Sequence, residues 1–368
     1  MPNRDIRDFV KLSKWAGERF DLVQAGGGNS SVKLDSGEML IKASGFSLSE
    51  LSTTRAFSTV NCQGVESILD VPELKALEKK QDREKKAKEL LAEYIAKDSP
   101  RPSIETFLHS SLKKFTLHVH PIVVNTIVCQ KNWRKILCDL FSITDVSPRG
   151  FAFVEYDTPG IDLALLLKEV LEDYKEKYHD LPKVVFMKNH GIIVTSTTAR
   201  EVREKTDEVV IKLESYVGLN LEKYRLCNKV SDFLETITDE NYCSYLCEDS
   251  VINGYLEKKS ELFGLGPICP DDFIFWGGAP FRMNELGDEE LFKYKNKFGD
   301  LPKVIIYNRR VFFTGLSIKK AKDVEDVFKF HLMAVVDVDS SNIDFITMEE
   351  MAYLGGWEAE KFRQNLNS

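Results

Sequence analysis

A five-residue motif that occurs twice constrains the fold of this 368-residue chain more than any other feature. Asp180-Leu181-Pro182-Lys183-Val184 recurs as Asp300-Leu301-Pro302-Lys303-Val304, and each copy precedes an apolar strand pattern and a charged helix pattern. Upstream, Phe151-Ala152-Phe153 is echoed by Phe273-Ile274-Phe275 at nearly the same offset. A period of more than a hundred residues indicates a duplicated subdomain, because the short structural repeats have periods of roughly 20 to 50 residues.

The composition is typical of a globular protein, with 43% hydrophobic and 29% charged residues. No apolar run approaches the roughly 18 residues that a membrane-spanning helix needs, and the N-terminus lacks the basic and apolar segments of a secretory signal. We therefore expect a cytoplasmic protein without a membrane partner. The net charge of -8 argues against nucleic acid as the main partner, although one local site can still bind a small phosphorylated ligand.

The cysteines are seven in number and irregularly spaced, which favours reduced thiols over a disulfide framework. If the segment around them is helical, Cys243 and Cys247 share one helix face, where they could bind a metal or form a redox pair. Packing is the more common role of cysteines at this spacing.

The pattern of apolar residues predicts alternating strands and helices, as in an α/β protein. We expect an amphipathic helix over Arg4–Phe20, a hairpin over Ser31–Ala43 that turns at Asp35-Ser36-Gly37, and solvated helices over Pro72–Lys97. A helix over Glu105–Lys114, with Ser103 as a possible cap, should precede a strand over Phe115–His120. Further elements are a helix from Ile122 and a strand over Val184–Met187.

Histidines occur where the chain could form a metal site. His118-Val119-His120 lies in a strand pattern, in which residues two apart point to the same face, so both imidazoles can reach one ion. His190 follows an apolar strand and precedes Gly191, which allows a sharp turn. Three histidines leave coordination positions open for substrate, as in catalytic sites. Arg310 stands in the second copy of the repeat at the place of His190, so we expect the chemistry in the first copy. His-x-His alone fits two half-buried strand residues equally well.

Other candidate residues surround these histidines in the sequence. Glu105 precedes the His118 strand, and a carboxylate near a divalent ion can move a substrate proton, although a helix-start Glu is commonly a dipole partner. The glycine-rich turn from Gly26 to Ser31 permits close backbone approach by an anion. Ser44-Gly45 and Ser103 could donate further hydrogen bonds to a phosphate, or could serve only as a turn and a cap.

In this order, the motifs resemble the class II aldolase/adducin family. The resemblance covers roughly residues 5 to 220. It rests on Gly27-Gly28-Asn29-Ser30-Ser31, Ala43-Ser44-Gly45, Pro102-Ser103-Ile104-Glu105-Thr106, His118-Val119-His120-Pro121 and Asn189-His190-Gly191. Tyr156-Asp157-Thr158-Pro159-Gly160 resembles the segment in which fuculose-phosphate aldolase has a proton-donating Tyr from a neighbouring subunit. Ile104 departs from the family pattern, because a second Ser usually stands there.

The resemblance implies a three-layer α/β/α sandwich around a mainly antiparallel sheet, and an enzyme of the lyase class. It implies a cleaved or formed C–C bond of a phosphorylated ketose and a metal-stabilised enediolate. His118, His120 and His190 would bind a divalent metal, most often Zn²⁺, with Mn, Fe or Co as alternatives. Gly28, Asn29, Ser44, Gly45 and Ser103 would bind the substrate phosphate, and Glu105 and Tyr156 would be catalytic.

The predicted organisation is a catalytic domain over residues 1–230, with a charged helical insertion at about 70–100, and a second, partly duplicated α/β domain over 231–368 without metal ligands. We expect a homo-oligomer, either a tetramer or a pseudo-symmetric dimer. The alternative functions are a sugar-phosphate epimerase, dehydratase or decarboxylase of the same family, or a non-catalytic adducin-like scaffold.

Overall fold

The computed structural model describes residues 4–283 and 288–355. Two compact units make up the chain, the first ending at Leu221 and the second beginning at Glu222. The predicted second domain includes residues 284–287 and 356–368, which lie outside the described residues. Among the helices that the structure describes, none is both long enough and apolar enough to cross a membrane.

The first unit is built around a seven-stranded sheet with the strand order β3-β2-β1-β4-β7-β6-β5. Its strands are β1 (Asn29–Lys33), β2 (Glu38–Lys42), β3 (Phe57–Asn61), β4 (Phe115–Val119), β5 (Phe151–Val154), β6 (Val184–Met187) and β7 (Gly191–Ser196). All neighbouring strands are antiparallel except β5 and β6. The predicted hairpin is therefore confirmed as β1 and β2, joined at the Asp35-Ser36-Gly37 turn.

Helices cover both faces of this sheet. They are α1 (Arg4–Gly17), α2 (Cys62–Ile68), α3 (Pro72–Ala76), α4 (Lys80–Ala92), α5 (Thr106–Ser110), α6 (Ile122–Val128), α7 (Trp133–Phe141), α8 (Ile161–Tyr178) and α9 (Ala199–Val217). One apolar core lies between the sheet and α1, α6, α7 and α9, and a second lies between the sheet and α2, α4, α5 and α8. The predicted three-layer α/β/α sandwich is confirmed.

The helix predicted from Glu105 to Lys114 is one turn long and ends at Ser110. Ser110 Oγ donates to the Phe107 carbonyl at 2.8 Å, and such bonds from serine side chains compete with the helical backbone pattern. The prediction that Ser103 caps this helix is also wrong. Glu105 is the N-cap residue, and Ser103 Oγ accepts a hydrogen bond from the Glu105 N–H at 3.3 Å in the turn before it.

The second unit contains a four-stranded sheet with the order β8-β11-β10-β9. Its strands are β8 (Cys243–Leu246), β9 (Phe281–Met283), β10 (Val304–Tyr307) and β11 (Arg310–Gly315). Its helices are α10 (Glu222–Leu234), α11 (Ser250–Lys258), α12 (Pro270–Trp276), α13 (Asp288–Phe298), α14 (Ile318–Val335) and α15 (Met348–Gly355). In this unit, a separate apolar core lies between the sheet and the helices α11, α12 and α14.

Two interpretations of the second half of the sequence are wrong. Phe273-Ile274-Phe275 lies in α12 and not in a counterpart of β5, because Pro270 at the helix start and acidic residues in the first turn favour a helix there. Cys243 begins β8 and Cys247 follows it, so these cysteines do not lie on a helix.

Candidate functional site

The strand β4 determines the direction of His118 and His120. Leu117 and Val119 point into the core beneath α1, α6 and α9, so the alternation of the strand turns His118 to the opposite face. His120 follows the strand, and its N–H donates to the Leu22 carbonyl at 3.1 Å. Both imidazoles therefore lie on the same side of the sheet, as the sequence pattern predicts.

The turn between β6 and β7 carries His190. Strand β7 is hydrogen-bonded to β4, with Ile192 opposite Val119, so this turn lies at the end of β4 where His120 emerges. Asn189 has a φ of 50°, in the left-handed region that Asn tolerates better than most residues. The strand pairing thus brings together histidines that are far apart in the sequence.

The three imidazoles form a nearly equilateral triangle. The ring centroids are 5.0 Å apart for His118 and His120, 4.8 Å for His118 and His190, and 5.2 Å for His120 and His190. One nitrogen from each ring lies within 4.8 Å of the others, a separation that allows all three to reach a single ion.

Two of these imidazoles have buried nitrogens without an ordinary partner. Nε2 of His118 and Nε2 of His120 have no hydrogen bond among the described residues, and His118 Nδ1 has an ion-pair contact with Glu105 but no hydrogen bond of normal geometry. An unsatisfied buried polar atom is costly, and native proteins rarely keep one without a function. Because imidazole nitrogen is a preferred ligand of Zn²⁺ and related ions, a divalent cation fits this set of atoms.

Glycine at position 191 makes the close approach of these rings possible. A Cβ atom on Gly191 would lie 2.4 Å from the Val119 carbonyl oxygen and 2.8 Å from His120 Cδ2. No other residue fits at this position without displacement of β4 or of the His120 ring.

Glu105 lies against two of the imidazoles. Its Oε2 is 3.2 Å from His118 Nδ1 and its Oε1 is 3.3 Å from His190 Nε2. Burial would raise the pKa of Glu105, but the neighbouring His118 and His190 imidazoles hold it well below its usual range. The side chain is therefore a carboxylate at neutral pH and is only 13% exposed.

The imidazole of His120 is kept neutral mainly by burial. Burial, together with the electrostatic effect of the neighbouring His118 and His190 imidazoles, lowers the pKa of His120 to about 4. A neutral imidazole has a free lone pair, which is the state that binds a metal.

Asn29 lies directly beside the triad. The β1–β4 register places Asn29 opposite His118, and side chains at such positions are neighbours on one face of the sheet. Asn29 is 1% exposed, and its Nδ2 has no hydrogen-bond partner among the described residues. Gly28 precedes it with a φ of 75°, and a Cβ there would lie 3.2 Å from the His118 carbonyl oxygen. A buried, unpaired amide donor therefore adjoins the three imidazoles.

Ser44, Gly45 and Ser103 lie in two adjacent loops. Ser44 N–H donates to the Arg101 carbonyl at 2.9 Å, and Ala43 bridges to Pro102. The β1–β2 pairing places Ser31 opposite Ile41. If this register is extended by two residues, Asn29 lies opposite Ala43. Ser44 and Gly45 are exposed and Ser103 is half-buried, so these loops offer polar groups to a ligand next to Asn29.

Lys42 is a residue of this region that the sequence analysis did not identify. It ends β2 and is 4% exposed, and its Nζ donates to the Phe46 carbonyl at 2.7 Å. Burial lowers the pKa of Lys42, while the charges of Glu105 and Glu50 act in the opposite direction. The ammonium group ties the Ser44-Gly45 loop to the end of the strand. The sequence feature that could have identified it is a lysine that directly follows the apolar residues of β2.

A buried ion pair supports the segment that carries His120. Arg19 Nε donates to Asp21 Oδ1 at 3.1 Å, and Arg19 also pairs with Asp207. The backbone carbonyls of Asp21 and Leu22 accept hydrogen bonds from Ile122 and His120. This support is not evident from the sequence, because the two partners of Arg19 are recognisable only in the folded chain.

Tyr156 is not brought to the triad within the chain. It follows β5 and is 57% exposed, and none of the contacts among the described residues joins it to Glu105 or to the three imidazoles. Of the remaining histidines, His179 is exposed after α8, whereas His109 and His331 are fully buried. His109 Nδ1 lies 2.8 Å from Ser31 Oγ.

Several solved structures are similar to the first part of this chain. The N-terminal class II aldolase domain of a conserved protein from Thermoplasma acidophilum is 23% identical, with a TM-score of 0.47, over 58% of this chain and 94% of that one. The sugar-phosphate aldolase from Thermotoga maritima is 18% identical, with a TM-score of 0.38, over 59% and 97%. L-fuculose-1-phosphate aldolase from Thermus thermophilus is 14% identical, with a TM-score of 0.35, over 57% and 94%.

Among curated proteins, none matches the chain at a significant level. Residues 7–217 match the family described as the class II aldolase and adducin N-terminal domain, a segment that includes the triad, Glu105, the glycine-rich turn and the Ser44-Gly45 loop. With more than half of its length in that match, the chain belongs to the class II aldolase and adducin family.

Proposed function

We propose that this protein is a divalent-metal-dependent lyase that cleaves or forms a C–C bond of a phosphorylated ketose. One observation carries the proposal: three imidazoles converge beside a buried carboxylate, and two of them have buried nitrogens without a hydrogen bond among the described residues. Such a set can hold a cation and move a proton within the same small volume. Membership of the class II aldolase and adducin family supports the same reading.

His118, His120 and His190 would hold the metal, which we expect to be Zn²⁺, with Mn, Fe or Co as alternatives. When bound, the ion would polarise the ketose oxygens and so stabilise the negative charge that develops when the C–C bond breaks. The first unit would be the catalytic domain, and the second would lack metal ligands.

Glu105 would act as the acid/base of the reaction. Its carboxylate form can accept a proton, and its protonated form can return that proton to the substrate carbon at which the bond is broken. Contacts to His118 and His190 fix the carboxylate, so the group would meet the substrate at a defined position beside the metal ligands.

The substrate phosphate would bind at the end of the sheet next to Asn29. The unpaired Asn29 amide, the hydroxyl groups of Ser44 and Ser103, and the backbone N–H groups of Gly28 and Gly45 are suitable donors. Lys42 would contribute positive charge from beneath the Ser44-Gly45 loop and hold that loop in place.

Tyr156 would complete the site from a neighbouring subunit, since it is exposed and no contact among the described residues joins it to the triad of its own chain. The protein would then be a homo-oligomer, a tetramer or a pseudo-symmetric dimer. Mixing Tyr156→Phe chains with Glu105→Gln chains tests this role, because mixed oligomers would regain activity if each site combines residues of two subunits. Recovery no greater than the sum of the separate variants would contradict it.

Metal content and product analysis together test the proposed activity. We expect about one Zn, Mn, Fe or Co per chain in protein purified without chelators, and loss of that metal in His118→Ala/His120→Ala. His179→Asn is the matched control, because His179 is exposed and Asn tolerates its φ of 56°. A panel of ketose 1-phosphates would then be assayed for release of dihydroxyacetone phosphate.

The outcomes of this assay separate the alternatives. Consumption of a sugar phosphate without release of dihydroxyacetone phosphate would indicate an epimerase, a dehydratase or a decarboxylase that uses the same site. Absence of metal from both proteins, even after reconstitution, would overturn the enzyme proposal and favour an adducin-like scaffold.

A further inference from the structure

The second unit repeats the strand arrangement on which the histidine triad stands. In both β4-β7-β6-β5 and β8-β11-β10-β9, the first two pairs are antiparallel and the last is parallel. The recurring Pro-Lys-Val segment leads into β6 in one unit and into β10 in the other, and its valine is the first residue of each strand. Thr195 N–H donates to the Lys183 carbonyl at 2.9 Å, and Thr314 N–H donates to the Lys303 carbonyl at 2.9 Å.

Register identifies the residues of the second unit that correspond to the triad. His118 of β4 pairs with Ile193 of β7, and Leu246 of β8 pairs with Phe312 of β11. Leu246 therefore takes the place of His118, and Glu248, two residues later, takes the place of His120.

The turn that corresponds to the His190 turn is one residue shorter. Tyr307 pairs with Arg310 across a two-residue loop, whereas Met187 pairs with Gly191 across three residues. Asn308 and Arg309 have φ values of 47° and 59°, as a tight two-residue hairpin turn requires. Arg309 thus stands where the first unit has His190, and Arg310 stands where it has Gly191. The expectation that Arg310 takes the place of His190 is therefore wrong by one residue, because the second turn is shorter.

These replacements line a cavity of about 320 Å³ in the second unit. Its lining includes Lys223, Leu246, Cys247, Glu248, Arg309 and Arg310. This volume lies within the usual range for small-molecule sites, at the low end. A pocket therefore lies at the equivalent place of the second unit, with Leu246, Glu248 and Arg309 at the positions of the three imidazoles.

The charge balance of this cavity favours an anion. Lys223 Nζ is 2.5 Å from Glu248 Oε1, and Tyr224 Oη donates to the same oxygen at 3.0 Å, so Lys223 and Glu248 largely neutralise each other. Arg309 and Arg310 are exposed, and neither guanidinium group forms an ion pair or a hydrogen bond with another of the described residues. Glu257, also exposed, is the remaining acidic residue of the lining, which leaves the site positive.

We propose that this cavity binds a small phosphate monoester through Arg309 and Arg310, as a second ligand site separate from the histidine triad. Guanidinium groups recognise phosphate oxygens by paired hydrogen bonds, and two adjacent groups suit a dianion. Glu248 limits the site to such compact anions, because its carboxylate holds Lys223 and occupies the side of the pocket at which His120 lies in the first unit.

Arginine footprinting on the full-length protein tests this site directly. Phenylglyoxal modification would be followed residue by residue by peptide mass spectrometry, in inorganic phosphate and in KCl of equal ionic strength. We expect phosphate to slow modification of Arg309 and Arg310 at least five-fold and to leave Arg4 and Arg200 unchanged. These two controls have 85% and 86% exposed side chains in the first unit. Equal effects at all four arginines, or no effect, would overturn the proposal.

Binding measurements with matched variants provide an independent test. Arg309→Asn/Arg310→Ala should lose one bound phosphate per chain in equilibrium dialysis, whereas Arg4→Ala/Arg200→Ala, with the same change of charge, should keep it. Asn at position 309 preserves the left-handed turn. Glu248→Gln should tighten binding several-fold by releasing Lys223, and unchanged or weaker binding would contradict the role given to Glu248. Repeating the footprint after chelation separates this site from the proposed metal-dependent activity, because its protection should not change.

Discussion

At the scale of single residues, the candidate site is marked by buried polar groups that have no hydrogen-bond partner. Nε2 of His118, Nε2 of His120 and Nδ2 of Asn29 have no hydrogen-bond partner among the described residues, although β1 and β4 are paired with neighbouring strands. Glu105 is the exception, because its carboxylate contacts two imidazoles. Removing a charge from Glu105 should therefore affect the chemistry more than the fold.

Glu105→Gln should retain the metal and lower kcat by about 10²- to 10⁴-fold, the usual contribution of a general acid/base. The amide preserves the shape of the side chain but cannot exchange a proton. Steady-state kinetics with elemental analysis on the same sample measure both effects, and Glu38→Gln, an exposed change of equal charge, is the control. A variant with unchanged kcat would remove Glu105 from the mechanism.

At the scale of elements, one short helix and one turn position the site. Helix α5 has Glu105 at its start and the fully buried His109 within its single turn. The β6–β7 turn places His190 only because Gly191 permits contact with β4. Both elements are short, so their positions depend on the sheet more than on their own propensities.

The variant Gly191→Ala should destabilise the first unit by about 1 to 3 kcal/mol, the usual cost of overpacking. It should also weaken metal binding at least ten-fold, because the added Cβ displaces the His120 ring. Gly254→Ala is the control, since nothing lies within 4 Å of a Cβ there, and helix α11 should tolerate alanine well. Thermal unfolding and metal titration are the measurements, and equal behaviour of the two variants would show that the turn is more adaptable than its geometry indicates.

His109 should make the stability of the first unit depend on pH. Burial lowers the pKa of His109 from 6.5 to about 3, with a further contribution from the nearby His118. Between these values the unfolded chain binds a proton that the folded chain does not, so the free energy of unfolding falls as the pH falls. The loss attributable to this group is about 1.4 kcal/mol per pH unit below pH 6.5.

Urea unfolding at pH 6.5, 5.5 and 4.5 measures this effect. His109→Gln should lose less stability on acidification than the wild type, by about 2 to 3 kcal/mol over those two pH units. The exposed variant His179→Asn should follow the wild type. Parallel curves for wild type and His109→Gln would mean that His109 is not held neutral by burial.

At the scale of the whole molecule, the chain combines two units, each with its own sheet and core. The strand order of the second sheet repeats four strands of the first, whereas a histidine cluster that could hold a metal occurs only in the first unit among the described residues. Metal binding should therefore stabilise the two units unequally.

Hydrogen exchange followed by mass spectrometry tests this inequality. Zn²⁺ at about 100 times its Kd should stabilise the state that binds it by about 2.7 kcal/mol. We expect slower exchange in peptides up to Leu221 and little change from Glu222 onward. The His118→Ala/His120→Ala variant should show no metal effect in either unit. Equal protection of both units would indicate that they unfold as one.

Much of the fold was predictable because it depends on local patterns. The period of α1, the Asp35-Ser36-Gly37 turn and the alternation around His118 all follow from the directions in which neighbouring side chains point. The duplicated Asp-Leu-Pro-Lys-Val motif indicated the second sheet. Where local signals were ambiguous, prediction failed, as at Phe273-Ile274-Phe275, which fits a strand by composition but belongs to α12.

The sequence by itself determined which residues could bind a metal and that His118 and His120 share a face, since strand geometry makes that a property of adjacent residues. Only the tertiary structure decided that His190 completes the triangle, that Asn29 lies opposite His118, and that Lys42 holds the neighbouring loop. These relations depend on the register of strands that are distant in the chain. Register is set by the packing of both sheet faces together, and no local segment of the sequence contains that information.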